Sequence, residues 1–115
     1  MIDDARRVFD SEALDRHTDG DRDLRMEVVR MFLEDCPVRL EAIRAAVLDG
    51  DATRLRSNAH ALRGAAGFFS ATFVVDASAH LEAIGREGRL DEAVAGLERL
   101  DAAVAQLIRE LRKIE

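Results

Sequence analysis

Apolar side chains return every third or fourth position from about Leu24 to Leu111, and nowhere do they alternate with polar ones over a useful length. An α-helix, with 3.6 residues per turn, gathers such positions onto one face, whereas a half-buried strand needs a period of two. Tyrosine and tryptophan are absent, so two of the residue types that strands favour are missing as well. The expected fold class is therefore all-α.

Punctuation along the chain divides that rhythm. Asp10 or Ser11 can cap a short helix through Glu12, Ala13, Leu14, Asp15 and Arg16, which runs out at the polar His17-Thr18-Asp19-Gly20. From about Asp21, the residues Leu24, Val28, Met31, Phe32, Cys36, Leu40, Ile43 and Val47 keep helical spacing as far as Asp49-Gly50. Pro37, the only proline, removes a backbone donor inside this stretch, so a kink near Leu33 or a break into two pieces is expected. A third helix, capped by Asp51, carries Leu55, Ala59, Leu62, Ala66 and Phe69 on its core face. A fourth starts between Ser70 and Thr72, buries Phe73, Val74, Ala77, Leu81 and Ile84, and is expected to stop at Gly85-Arg86-Glu87-Gly88, where two glycines suit a turn. The last opens at Leu90 or Asp91 and turns Ala93, Val94, Leu97, Leu100, Val104, Leu107, Ile108 and Leu111 inward. Short connections between long amphipathic helices imply an antiparallel up-down four-helix bundle over 21–115, with an additional short N-terminal helix in the segment 1–20. At 115 residues and 48% hydrophobic content, the chain can build one core and no more.

Charge and composition exclude several functions. Charged residues make up 35% of the chain, and the longest uncharged run, Gly64 to Val75, is too short to span a bilayer. A net charge of -6 without a basic cluster argues against nucleic acid as a partner. Cys36 is alone, so no internal disulfide can form, and Met1-Ile2-Asp3-Asp4 does not begin a basic-then-apolar leader; a cytoplasmic location is expected. His17, His60 and His80 fall on three different expected helices with no HxxxH or CxxC spacing, so no metal site is expected. Neither a phosphate-cradling glycine loop after a strand nor a kinase signature occurs, so ATP binding and enzymatic activity of the chain's own are not expected.

His60 stands apart from this pattern. At roughly 100° per residue it lies roughly 140° from the centre of the Leu55–Phe69 apolar stripe, facing solvent. Its neighbours there are Arg56, Arg63, Gly64 and Gly67. Each glycine weakens a helix interior by about 1 kcal/mol relative to alanine, so bare backbone beside the imidazole needs a reason. A histidine that acts as a nucleophile must keep its proton on one ring nitrogen and offer a lone pair from the other, and a carboxylate bonded to the protonated nitrogen fixes that tautomer. Glu82, on the next antiparallel helix, is the candidate; Ser78, Glu82 and Arg86 share a face there, and a plain surface ion pair between Glu82 and Arg86 is the alternative. Arg63, three residues after His60, can reach the oxygens of an anionic group held on the ring, such as a phosphoryl group, and offset its charge. Gly64 leaves room one turn after the imidazole, and Arg56 belongs to the rim of that face.

The pattern His60-x-x-Arg63-Gly64-Ala65-Ala66, closing in Ser70-Ala71, resembles the phosphoacceptor motif of histidine phosphotransfer (HPt) domains: His, two residues, Lys or Arg, Gly, then two small residues. The chain departs where the family often has asparagine (here Phe68) and glycine (here Ser70), changes that bear on the bend after the helix and leave the acceptor in place. The resemblance implies a four-helix bundle with an added N-terminal helix. It also implies a phosphoryl group carried on His60 between aspartates of response-regulator receiver domains, or received from a hybrid or sensor histidine kinase. Some members keep a glutamate or glutamine near the histidine and a basic residue further on, which would be Glu82 and Arg86. No cofactor is implied beyond Mg²⁺ on the receiver, and a free-standing monomer is expected. A helical adaptor that docks a receiver or kinase without transfer, and a phosphoacceptor domain cut from a larger kinase, are the alternatives.

The bare backbone at Gly64 generates a prediction. Gly64→Gln raises helix propensity and so should raise the melting temperature, while the new side chain obstructs an incoming partner and slows phosphoryl exchange. Exchange at the unmodified rate would mean that the glycine is not there for access.

Overall fold

In the computed structural model, which describes residues 4–115, the chain forms six α-helices: α1 (Asp4–Val8), α2 (Ser11–His17), α3 (Arg22–Asp49), α4 (Ala52–Gly67), α5 (Thr72–Glu87) and α6 (Ala93–Arg112). A single 3-10 turn, Leu90–Glu92, leads into α6, and no strand occurs among the described residues. Aspartates start three of the helices. Asp10 accepts from the amides of Glu12 and Ala13, Asp21 from Leu24, and Asp51 from Arg54, each offsetting donors that a first helical turn leaves unpaired.

Helices α3 to α6 form the bundle. Each packs on its successor, and α3 closes the ring against α6, where Arg44 Nη2 donates to Asp101 Oδ1 at 3.0 Å. The core is aliphatic: Ile43, Leu55, Leu62, Leu81, Ile84, Leu100 and Leu107 are fully buried. At about 1.5–3 kcal/mol for each such side chain withdrawn from water, this layer supplies most of the drive to fold.

Four sequence expectations need correction. α3 runs unbroken through Pro37, so the break into two pieces does not occur. That residue sits on the exposed side of the helix, so the Leu33 carbonyl deprived of its donor faces a side that water can reach. Leu24, Met31 and Val94 lie outside the core, at 41%, 54% and 60% exposure; Val29 on α3 and Gly96 on α6 are buried though the spacing did not name them, and Ala93 is buried as expected. A three-four rhythm rich in Val, Ala and Leu permits more than one stripe, and packing selects between them. The N-terminal segment holds two short helices in place of one, and Val8 and Leu14 join the common core. Its last residues tie down the end of α4: the Asp10 amide donates to the Phe69 carbonyl at 3.0 Å, and His17 Nδ1 donates to the Phe68 carbonyl at 2.8 Å. Just beyond, Ser70 takes the left-handed conformation, φ 49°, which a residue with a Cβ adopts at a cost of roughly 1–2 kcal/mol.

The fourth correction concerns Gly85, which is not part of a turn. α5 continues to Glu87, and Gly88, with φ 69°, alone makes the left-handed C-cap. Gly85 is buried against the backbone of α4: a Cβ there would lie 2.7 Å from the Arg56 nitrogen and 2.8 Å from the Ala52 oxygen. Together with the pairing of residue 82 beside residue 60, this fixes α4 and α5 as antiparallel and closely spaced. No helix among the described residues is long and apolar enough to cross a membrane.

Gly85→Ala should therefore destabilise the protein although alanine is the better helix former. Backbone cannot yield as a side-chain tip can, so a net loss of about 1–2 kcal/mol is expected, a melting temperature lower by roughly 4–12 °C. An unchanged or higher melting temperature would show that the two helices separate freely.

Candidate functional site

Antiparallel packing of α4 on α5 brings His60 and Glu82 together across the helix interface, near the middle of both helices. His60 Nδ1 lies 2.8 Å from Glu82 Oε2. The carboxylate belongs to the core side, with 4% of its surface exposed, while the imidazole has 64% of its side chain open to solvent. An ionised carboxylate only accepts hydrogen bonds, so the ring proton sits on Nδ1 and Nε2 keeps its lone pair. Since the two ring nitrogens flank one carbon, that lone pair points away from Glu82, toward solvent.

Two arginines complete the cluster. Arg63 Nη1 is 2.9 Å from Glu82 Oε1, but no N–H is aimed along the contact, which is electrostatic. Its Nη2, 3.4 Å from His60 Nδ1, makes no hydrogen bond there because that nitrogen already carries a proton given to Glu82. Arg86 Nη2 stands 3.6 Å from Oε2, one turn along α5. Burial pushes the Glu82 carboxyl pKa up. The hydrogen bond from His60 and the charges of Arg63, His60 and Arg86 outweigh it, and the net shift is downward from the usual 4.5. Glu82 is thus ionised at neutral pH between two guanidiniums and the His60 donor, and the reading of Glu82 with Arg86 as a plain surface pair does not describe a carboxylate this deeply set.

The other expected residues divide clearly. Gly64 and Gly67 are exposed, and a Cβ at either would meet nothing within 4 Å, so neither glycine is required for packing within this chain. Arg56 is exposed one turn before His60 and makes no ion pair or hydrogen bond with the described residues. It lines an open cleft with Thr53, Ser57, His60 and Glu82. Thr53 and Ser57 escaped the sequence reading, although their spacing of seven and three residues before His60 puts them on its side of the helix. On the other flank, an apolar groove between α3 and α4 exposes Met31 and Phe68 (37% exposed) and is also lined by Cys36, whose thiol burial pushes up to about 11.

Fold and site define a class: an antiparallel helical bundle that presents one imidazole to solvent while a buried carboxylate fixes its proton. Residues 27–110 match the family model described as Hpt domain, and the chain belongs to that family. Among solved structures it is similar to histidine-containing phosphotransfer protein B (HptB) from Pseudomonas aeruginosa PAO1, with 26% identity, 91% of each chain covered and a TM-score of 0.86. Comparison with curated proteins finds no match.

The depressed carboxyl generates a pH prediction. The folded protein holds Glu82 below its unfolded-state value, so the stability due to the ionised cluster is complete above about pH 4.5 and is lost progressively as pH falls below it. Glu82→Gln keeps the shape without the charge. The difference in melting temperature between the two proteins should narrow as pH falls below about 4.5; a difference that stays constant to pH 2 would mean the charge contributes nothing to the fold.

Proposed function

We propose that this protein carries a phosphoryl group on His60 Nε2, exchanging it with aspartates of response-regulator receiver domains and accepting it from a hybrid or sensor histidine kinase. One observation carries the reading: Nδ1 is held 2.8 Å from a buried carboxylate while the rest of the ring is open to a partner. Membership of the Hpt domain family and the likeness to a histidine-containing phosphotransfer protein point the same way.

In the forward step the Nε2 lone pair attacks the phosphorus of an aspartyl phosphate. The N–P bond forms as the bond from phosphorus to the aspartyl oxygen breaks, and that electron pair leaves with the partner's carboxylate. The ring keeps its Nδ1 proton and becomes positively charged, and Glu82, already ionised and in contact, stabilises that charge without moving. Arg63 and Arg86 hold the carboxylate in place from two sides. The chain supplies no metal to the step; Mg²⁺ belongs to the receiver. Gly64 and Gly67 leave the approach clear, the apolar groove at Met31 and Phe68 is covered when the partner docks, and a monomer suffices because every residue of the cluster comes from one chain.

The test is transfer of acid-labile, base-stable label from phosphorylated receiver domains. His60→Gln should abolish labelling while the fold persists, at a cost of about 1–3 kcal/mol because the ring's hydrogen bond to the buried Glu82 is lost with it. Label persisting on the variant would move the acceptor to His17 or His80 and overturn the reading.

A further inference from the structure

Three arginines surround His60, and they are not equivalent. Arg63 and Arg86 are both engaged with the same carboxylate, at 2.9 and 3.6 Å, so each guanidinium is drawn toward Glu82 although the trio keeps one net positive charge. Arg56 has no partner among the described residues. A helical side chain leans over the turn N-terminal to its own Cα, so the His60 ring lies toward Arg56 and Ser57 rather than over Gly64. The open cleft beside the ring is lined on that side by Thr53, Arg56 and Ser57. Toward the C-terminus of α4 the surface offers little to an anion: Gly64 and Gly67 have no side chains, and their amides lie inside a hydrogen-bonded helix. Nε2 is turned away from Glu82, and the cleft that His60 lines also holds the unpaired Arg56 guanidinium and the Ser57 hydroxyl.

Resting on the proposed function, we infer that the phosphoryl group on His60 is held by Arg56 and Ser57, one turn toward the N-terminus of α4, while Arg63 stays with Glu82 as a positioning residue. Arg56 provides N–H donors and a full charge to the phosphoryl oxygens, and Ser57 a neutral donor three residues from His60. The glycine side then serves as the partner's entrance, separate from the place where the phosphoryl oxygens rest. Spacing and family resemblance both favour Arg63 for this role; the ion pairing in the structure reassigns it.

A small donor separates phosphoryl binding from partner docking. With phosphoramidate, Nε2 takes the phosphoryl group, the donor P–N bond breaks, and ammonia leaves with its electron pair while Nδ1 keeps its proton. Labelling rate is measured together with the pH titration of the phosphohistidine ³¹P resonance, for the unmodified protein, Arg56→Gln, Arg56→Lys, Ser57→Ala and Arg63→Gln, with Arg109→Gln on α6 as the control. Arg56→Gln should slow labelling by about three- to thirtyfold and raise the pH at which the phosphoryl group loses its last proton, because a neighbouring cation no longer favours the dianion. Ser57→Ala should do the same more weakly, Arg56→Lys should recover part of the loss, and Arg63→Gln should shift the ³¹P titration less than Arg56→Gln does. Labelling and titration unchanged in Arg56→Gln but shifted in Arg63→Gln would overturn the inference and leave the proposed function standing. An unmodified protein that takes no label on His60 from this donor or from receiver domains would overturn both.

Discussion

A carboxylate as deeply placed as Glu82 keeps its charge only where cations replace the water it has lost. Supplying them constrains much of the molecule. One comes from Arg63 on α4, one from Arg86 a turn along α5, and the hydrogen-bond donor is the ring of His60. Since the first and last lie across the helix interface from the acid, α4 and α5 must run antiparallel, in one register and at one separation, for the cluster to close. Removing a single member would strand the others, so an exposed ring and a core-side acid are coupled in stability as well as in chemistry. The ring's tautomer then follows from the fold, without any residue devoted to that task alone.

Much of the architecture was legible because a 3.6-residue period, aspartate caps and a final glycine are local signals. They gave the helix order, the start of α4 at Asp51 and the solvent face of His60. What escaped depends on neighbours that a single helix does not reveal. Val94 and Ala93 are both small and apolar, and only packing on the rest of the bundle selects Ala93. Pro37 reads as a breaker until its ring is found on the exposed side of α3. Two glycines three residues apart, Gly85 and Gly88, look alike in sequence, yet one adjoins the backbone of another helix and the other turns the chain. At the site, spacing named His60, Glu82 and Arg63, but the depth of Glu82 and the isolation of Arg56 are tertiary facts.

The ends of the bundle show how the helix that carries His60 is held. α4 is capped at its start by its own aspartate. At its far end it is held by another part of the chain, through the Asp10 amide and the His17 ring on the carbonyls of Phe69 and Phe68. Those contacts fix a connection that bends through an unfavourable conformation at Ser70. Strain is tolerated there because the two residues before Ser70 are pinned by Asp10 and His17, which gives the N-terminal segment a mechanical role that its length alone does not suggest.

The bare backbone at Gly85 has one more consequence. Helices separated by side chains can drift by several tenths of an ångström when a leucine is exchanged for a methionine or a valine. Where the main chain of one abuts the main chain of the next, the spacing works as a machinist's datum surface, insensitive to the wear of mutation elsewhere in the core. Glu82 lies one turn from that surface and His60 one turn from Arg56, so the distance between them is referred to the most rigid gauge in the molecule. Sequences can diverge widely around such a reference while the tolerance at the histidine stays narrow.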